Sequence, residues 1–152
     1  MVKEKNYLLK IIAMKTLKLY ITLAVMALAL SAQAQVLRNA DYQAMGRISP
    51  NGMVRNAESI SLGSFEPDGT VCDREGHKLG SINRLEIFDT EGNRIGYINT
   101  NGVVHNGEGE VVGTINLSDG KVTNAKHEVL GYARGIRVDW IACYFFFEFF
   151  KK

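Results

Sequence analysis

The sequence has little of the material from which reactive centres are built. It holds two cysteines, Cys72 and Cys143, and three histidines, His77, His105 and His127. No histidine pair has the usual metal-ligand spacing. No serine stands in a nucleophile-elbow motif, and no Ser or Cys has an evident His and acid beside it. Gly107-Glu108-Gly109 is not followed by a helix, which removes a phosphate or dinucleotide loop. The glutamates scatter through turns, and nothing selects a carboxylate pair for glycoside hydrolysis. These absences predict a protein that is not an enzyme, with no cofactor and no bound metal.

Long apolar runs are missing too. Leu19 to Leu30 spans about a dozen residues, short of the roughly 20 a membrane-spanning helix needs. It follows the basic start Met14-Lys15-Thr16-Leu17-Lys18 and precedes Ser31-Ala32-Gln33-Ala34-Gln35. Basic, apolar, then Ala-x-Ala is the order of a secretory signal peptide over residues 1–34, with cleavage after Ala34 and translation starting at Met1 or Met14. Without those residues the formal charge of +2 becomes −2, since five lysines leave with one glutamate. No basic face remains, so nucleic acid is not an expected partner. The expected compartment is the periplasm or the exterior. Export permits a disulfide, but Cys72 falls in a column otherwise held by Arg38, Arg55, Phe88, His105 and Thr123, which predicts an outward, free thiol in preference to a Cys72–Cys143 bridge.

What the chain does have is a repeat. Met45-Gly46-Arg47-Ile48 recurs as Leu62-Gly63-Ser64-Phe65, Leu79-Gly80-Ser81-Ile82, Ile95-Gly96-Tyr97-Ile98, Val112-Gly113-Thr114-Ile115 and Leu130-Gly131-Tyr132-Ala133, at intervals of 17, 17, 16, 17 and 18 residues. Nine positions before each glycine stands Leu37, Val54, Val71, Ile87, Val104 or Val122, and seven before stands Asn39, Asn56, Asp73, Asp89, Asn106 or Asn124. Gly76, Gly92 and Gly109 sit four before, where Tyr42, Ser59 and His127 break the pattern. Asp73-Arg74-Glu75-Gly76 suits a type I turn, and Asn51-Gly52 and Asp68-Gly69 suit tight hairpins. Each unit therefore reads as two short strands and two turns. The Arg84-Leu85 turn is one residue shorter and lacks Gly.

Leu79 and Ile82 are three apart, so a regular strand would point them to opposite faces. A bulge at Gly80 would reconcile them, or a neighbouring backbone comes too close for a Cβ. One unit cannot bury its own apolar face, so the units must stack. Split units at both ends, with no polar cap at the start, favour a closed ring over an open solenoid. No stretch after residue 35 shows a sustained helical period.

The V-x-[DN]-x-x-G-x-x-[IL]-G-x-I repeat, the leader and the terminal Trp140-Ile141-Ala142-Cys143-Tyr144-Phe145-Phe146-Phe147 run resemble small secreted bacterial proteins described as five-fold β-flower proteins. The resemblance covers about residues 36–150. It implies an all-β, propeller-like closed ring of about five two-stranded units over residues 35–137, and it brings no assigned activity and no functional residues with it.

Residues 138–152 form an apolar segment expected to pack on the ring or complete it. At 11 residues, Trp140 to Phe150 is too short to span a membrane. It reads either as core, a last strand or plug, or as an exposed patch for a protein or membrane surface. The candidate interaction residues are Trp140, Tyr144, Phe145, Phe146, Phe147, Phe149 and Phe150. The Asn/Asp column could in principle hold a cation, but each member stands where a turn wants such a side chain. The expectation is an exported structural or interaction module of bacterial envelope type. A soluble glycan- or small-ligand-binding module is the alternative.

Overall fold

A computed structural model of the protein describes residues 6, 10, 12–20 and 35–150. The chain divides into two compact units, residues 1–33 and 34–152. In the first, residues 12–20 are helical. Most of the apolar run and the expected cleavage after Ala34 lie outside the described residues. No helix among the described residues is long and apolar enough to cross a membrane.

The second unit is a barrel of twelve antiparallel strands: β1 (Gln35–Asn39), β2 (Ala44–Ile48), β3 (Met53–Asn56), β4 (Ser61–Phe65), β5 (Thr70–Asp73), β6 (Lys78–Asn83), β7 (Glu86–Phe88), β8 (Arg94–Ile98), β9 (Val103–Asn106), β10 (Val111–Ile115), β11 (Lys121–Asn124) and β12 (Val129–Tyr132). Each strand pairs with its neighbours in sequence, and β1 pairs with β12 through Arg38↔Tyr132 and Asn39↔Gly131. The two ends of the repeat thus seal one another, which leaves no open edge to cap.

Alternation along the strands builds the core. Leu37, Val54, Val71, Ile87, Val104 and Val122 of the odd-numbered strands are fully buried. Each contributes about 1.5–3 kcal/mol by leaving water. The even-numbered strands turn Gly and the residue two further on inward, as with Gly80 and Ile82, while Ser81 between them looks outward.

The bulge is present, one residue earlier than Gly80. Val71 pairs with Gly80 and Cys72 with Lys78, so Leu79 is the extra residue. The same skip occurs at Met45, Leu62, Ile95, Val112 and Leu130. Two successive side chains at a bulge can share a face, so Leu79 packs against the core that Ile82 enters. Glycine itself is demanded by crowding: a Cβ on Gly80 would lie 2.4 Å from the Phe88 carbonyl oxygen and 2.8 Å from the Phe149 ring.

The turns after β1, β3, β5, β7, β9 and β11 share one end of the barrel, and each is built on the Asn/Asp column. Oδ1 of Asp89 accepts the backbone N–H groups of Glu91 and Asn93, both at 2.9 Å. Asn56, Asp73, Asn106 and Asn124 accept equivalent bonds. Tyr42, Ser59 and His127, the three breaks in the repeat, adopt φ of 66°, 68° and 63°, the left-handed conformation that Gly76, Gly92 and Gly109 hold at the same step. The turn geometry survives those substitutions at the cost of mild strain.

One expectation needs correction. Residues Val138–Phe145 form an α-helix, although no helical period marks them. Its five consecutive residues Asp139, Trp140, Ile141, Ala142 and Cys143 are all buried. A helix buried on every side has no polar stripe, so it shows no amphipathic period. It fills the lumen. A barrel this wide is not filled by its own wall side chains, as an eight-stranded one is.

Candidate interaction site

The helix enters at one end of the barrel and delivers its aromatic continuation to the other. At the entrance Trp140 stacks on Phe65, with ring centroids 5.0 Å apart and planes 5° from parallel. The Arg137 guanidinium lies 4.9 Å above the Trp140 ring and pairs with Asp139, which is 3 % exposed. This charge-assisted pairing leaves the buried carboxylate compensated and pulls the Arg137 pKa upward. A cavity of about 260 Å³ opens here beside the shortened turn, lined by Asp68, Gly69, Asn83, Arg84, Arg137 and Trp140 among others. Trp140 is therefore a core residue at the entrance, joined to the other candidates through Phe65, whose ring also meets Phe150 edge-on at 5.3 Å.

At the exit the rings meet the glycines one to one. The space a Cβ would need is taken by Phe145 at Gly131, Phe146 at Gly113, Phe147 at Gly96, Phe149 at Gly80 and Phe150 at Gly63. Tyr144 makes ring contacts with Phe145 and Phe150, at 5.4 and 6.5 Å, the two phenylalanines that flank the Gly46 sector. Glu148 steps outward between Phe147 and Phe149, with φ of 55°, which lets five rings keep register with five strands. All six aromatics stay half-buried. They form a crown that closes the barrel without leaving its surface. Burial raises the Tyr144 pKa.

A groove of about 550 Å³ runs along this crown, between the turns after β3 and β5. Its floor is Leu62, Leu79, Phe149 and Phe150, with Ile60 at its side and Asn56, Asp73, Arg74 and Glu75 on its rim. Ile60 is 55 % exposed, and Val111, 49 % exposed, stands at the same end of the barrel. Asp73, Glu75 and His77 come together in one rim turn, with ligating atoms within 4.8 Å of one another. Nδ1 of His77 lies 3.1 Å from Asp73 Oδ2, and Glu75 pairs with Arg74 at 2.6 Å. Desolvation raises the Asp73 pKa, but bonds from the His77 and Glu75 backbone and from the His77 ring outweigh it and leave the carboxyl below its usual range.

The remaining reactive groups do not converge. Cys143 is buried in the lumen and Cys72 is half-buried in the wall; both are free thiols. Burial pushes the Cys143 pKa well above that of an ordinary thiol, so it is a poor nucleophile. His105 stacks on Tyr97 at 4.5 Å. Among the described residues no hydrogen bond joins a serine or cysteine to a histidine.

Sequence reasoning singled out the phenylalanines and missed the groove beside them. The signal was available in the column before each glycine, always Met, Leu, Ile or Val. A bulge residue that repeats as apolar on both sides of one crown marks where an apolar channel can form.

A family model described as "5-fold beta-flower protein" matches residues 27–150. No curated protein and no solved structure matches the chain.

Proposed function

The chain belongs to the 5-fold beta-flower family, and from that premise we propose that it is an exported, non-enzymatic interaction module that docks a partner through its aromatic mouth. The observation that carries this reading is the incomplete cover of the crown. Tyr144, Phe145, Phe146, Phe147, Phe149 and Phe150 are only partly buried, beside the exposed Ile60 and a groove of about 550 Å³. Contiguous apolar surface of this kind on a small protein marks a contact site more often than it marks idle packing. Export rests on the basic, apolar and Ala-x-Ala order of residues 14–35.

The five-fold name is read as five equivalent hairpins, β3–β4 to β11–β12, each offering one glycine to one phenylalanine, with β1–β2 closing the ring around Gly46. The five Gly–Phe contacts support that reading.

Site-directed photocrosslinking tests the docking surface. A crosslinker at Ile60, in the mouth, is expected to trap a discrete adduct in expressing cells. One at Leu117, equally exposed in the turn at the opposite end, is expected to trap none. The same groove is also within the roughly 300–1,000 Å³ range of small-ligand sites and has Asn56, Ser61, Asp73 and Glu75 on its walls. That supports the second reading, a soluble glycan- or small-ligand-binding module. Absence of an adduct from position 60, together with retention on a polysaccharide, selects it.

A further inference from the structure

Charge around the mouth narrows the partner. The six turns of the crown end, 39–43, 56–60, 73–77, 89–93, 106–110 and 124–128, carry nine carboxylates against Arg74 and Lys126. At the first two, arginines from the outer wall bring positive charge beside the acids Asp41 and Glu58: Arg38 donates to the Tyr42 carbonyl, and Arg55 and Arg47 donate to the carbonyl and hydroxyl oxygens of Ser59. The remaining four turns form an arc of seven carboxylates, namely Asp73, Glu75, Asp89, Glu91, Glu108, Glu110 and Glu128. Against them stand Arg74 and Lys126 within the turns and Lys78 and Arg94 at the strand starts beside them. With four cations to seven carboxylates the arc keeps a net charge of −3, most of it on the turns 106–110 and 124–128. Several of these are bonded to amides and not to cations, as Glu110 is to Asn106 and Glu128 to Asn124. Amide bonds leave the negative charge in place. The turns at the other end carry Glu66, Asp68 and Asp119 against Arg84 and Arg134, close to balance.

We infer that the groove floored by Leu62, Leu79, Phe149 and Phe150 receives a cationic amphipathic polypeptide segment, with its apolar side chains in the groove and its Lys or Arg side chains along the acidic arc. This rests on the docking reading above and names the class of its partner. The charge argues against the other occupants. An anionic lipid surface would meet the arc at like charge within a Debye length of about 8 Å. A second copy docked mouth to mouth would set the two arcs against each other. The apolar floor in turn demands more than a polybasic tail.

Fluorescence anisotropy with labelled probes on the purified protein tests the assignment. The probes are a short Lys/Leu amphipathic peptide, its Glu/Leu twin and a Lys/Ser peptide without apolar residues. The Lys/Leu peptide is expected to bind at least about tenfold more tightly than either control, and more weakly as salt rises. Glu108→Gln and Glu91→Gln, both exposed, should each weaken it by about threefold. Ile60→Ser should weaken it further, and Asp119→Asn at the opposite end should leave it unchanged. All four positions are solvent-facing, so thermal unfolding should show the variants folded. Equal binding of the Glu/Leu twin, or no binding of any probe, overturns the partner class, and an adduct from position 60 would still stand for docking itself. Loss of that adduct removes both. Tighter binding of phosphatidylglycerol vesicles than of phosphatidylcholine vesicles would assign the mouth to a membrane. A Lys/Leu affinity indifferent to Ile60→Ser and Glu108→Gln would move the site away from the mouth.

Discussion

In the wall of the barrel every buried residue has counterparts. Leu37, Val54, Val71, Ile87, Val104 and Val122 do one job six times, and so do the six glycines paired with them on the next strand. In the plug nothing recurs. Trp140, Ile141, Ala142 and Cys143 each fill a different part of the lumen, and only the rings that follow repeat a contact. A wall error is shared with neighbours that can still hold the register, whereas a plug error has no substitute. Trp140→Ala is therefore expected to have the largest effect of any single change considered, about 3–5 kcal/mol, from loss of the Phe65 stack and the cavity left behind. Ile87→Val, one methylene from an equally buried wall residue, should cost about 0.5–1.5 kcal/mol. Urea unfolding of the two variants checks the contrast. If Trp140→Ala costs no more than Ile87→Val, the plug is not core.

The seam between wall and plug is sharper still. A Cβ on Gly96 would lie 2.2 Å from the Phe147 ring and 2.6 Å from the His105 carbonyl oxygen. Gly96→Ala should then cost about 1–3 kcal/mol as an overpacking substitution. Phe147→Ala should recover part of that cost in the double variant, because it removes one of the two clashes. Gly76→Ala, with nothing within 4 Å but φ of +87°, tests conformation alone, and Phe147→Ala should not rescue it. Strictly additive costs at Gly96 and Phe147 would show that the ring does not read the glycine.

The same contrast decides what sequence could reveal. The wall was legible because a period is a physical constraint applied again and again. Val71, Asp73, Gly76 and Gly80 each have a separate reason, and six aligned copies make those reasons visible. Closure was legible from the split ends, and β1 does pair with β12. The helix was not, since Asp139 to Cys143 are buried all round and leave no polar face to mark a period. The bulge was expected at Gly80 and stands at Leu79, because spacing alone gives the face and not the unpaired residue. The phenylalanines could be singled out by composition. Their pairing with five glycines could not, since it depends on Glu148 stepping aside in a left-handed turn. The groove joins Ile60, Leu79 and Phe150, three positions with no sequence relation until the barrel closes.

Among wall positions the Asn/Asp column should matter through local bonds and not through charge. Oδ1 of Asn124 accepts the N–H groups of Lys126 at 2.9 Å and Glu128 at 3.0 Å. Asn124→Ala should cost about 1 kcal/mol by thermal or denaturant unfolding, the usual net value for such bonds. Asn124→Asp keeps the acceptor but exchanges the amide that donates to Glu128 Oε2 at 2.6 Å for a second carboxylate. The comparison therefore belongs in the Glu128→Gln background, where Asn124→Asp should cost less than Asn124→Ala, as Asp73 and Asp89 opposite His77 and Asn93 suggest. A larger loss for Asp than for Ala would mean that charge, and not the turn, governs the position.

The smallest effect concerns charge in those turns. The Asn93 side chain, then the backbone N–H groups of Asn93, Glu91 and Gly92, lower the pKa of Asp89. The Thr70 backbone and hydroxyl do the same for Asp68 at the other end. A carboxyl whose pKa is lower folded than unfolded stabilises the protein above its unfolded value of about 3.9, and that stabilisation is lost as pH falls through the folded value. Asp89→Asn keeps the Oδ1 acceptor for the backbone N–H groups and removes the charge together with the Oδ2 acceptor that the Asn93 side chain bonds at 3.0 Å. Wild type should therefore melt slightly higher than Asp89→Asn near neutral pH, and the two melting curves should converge as pH drops below about 4. Convergence would place the acid-sensitive part of the wall in its turns, away from the plug. A gap that persists unchanged into acid would mean that Asn at this position differs from Asp in packing, and that the ionised carboxylate contributes nothing to the barrel.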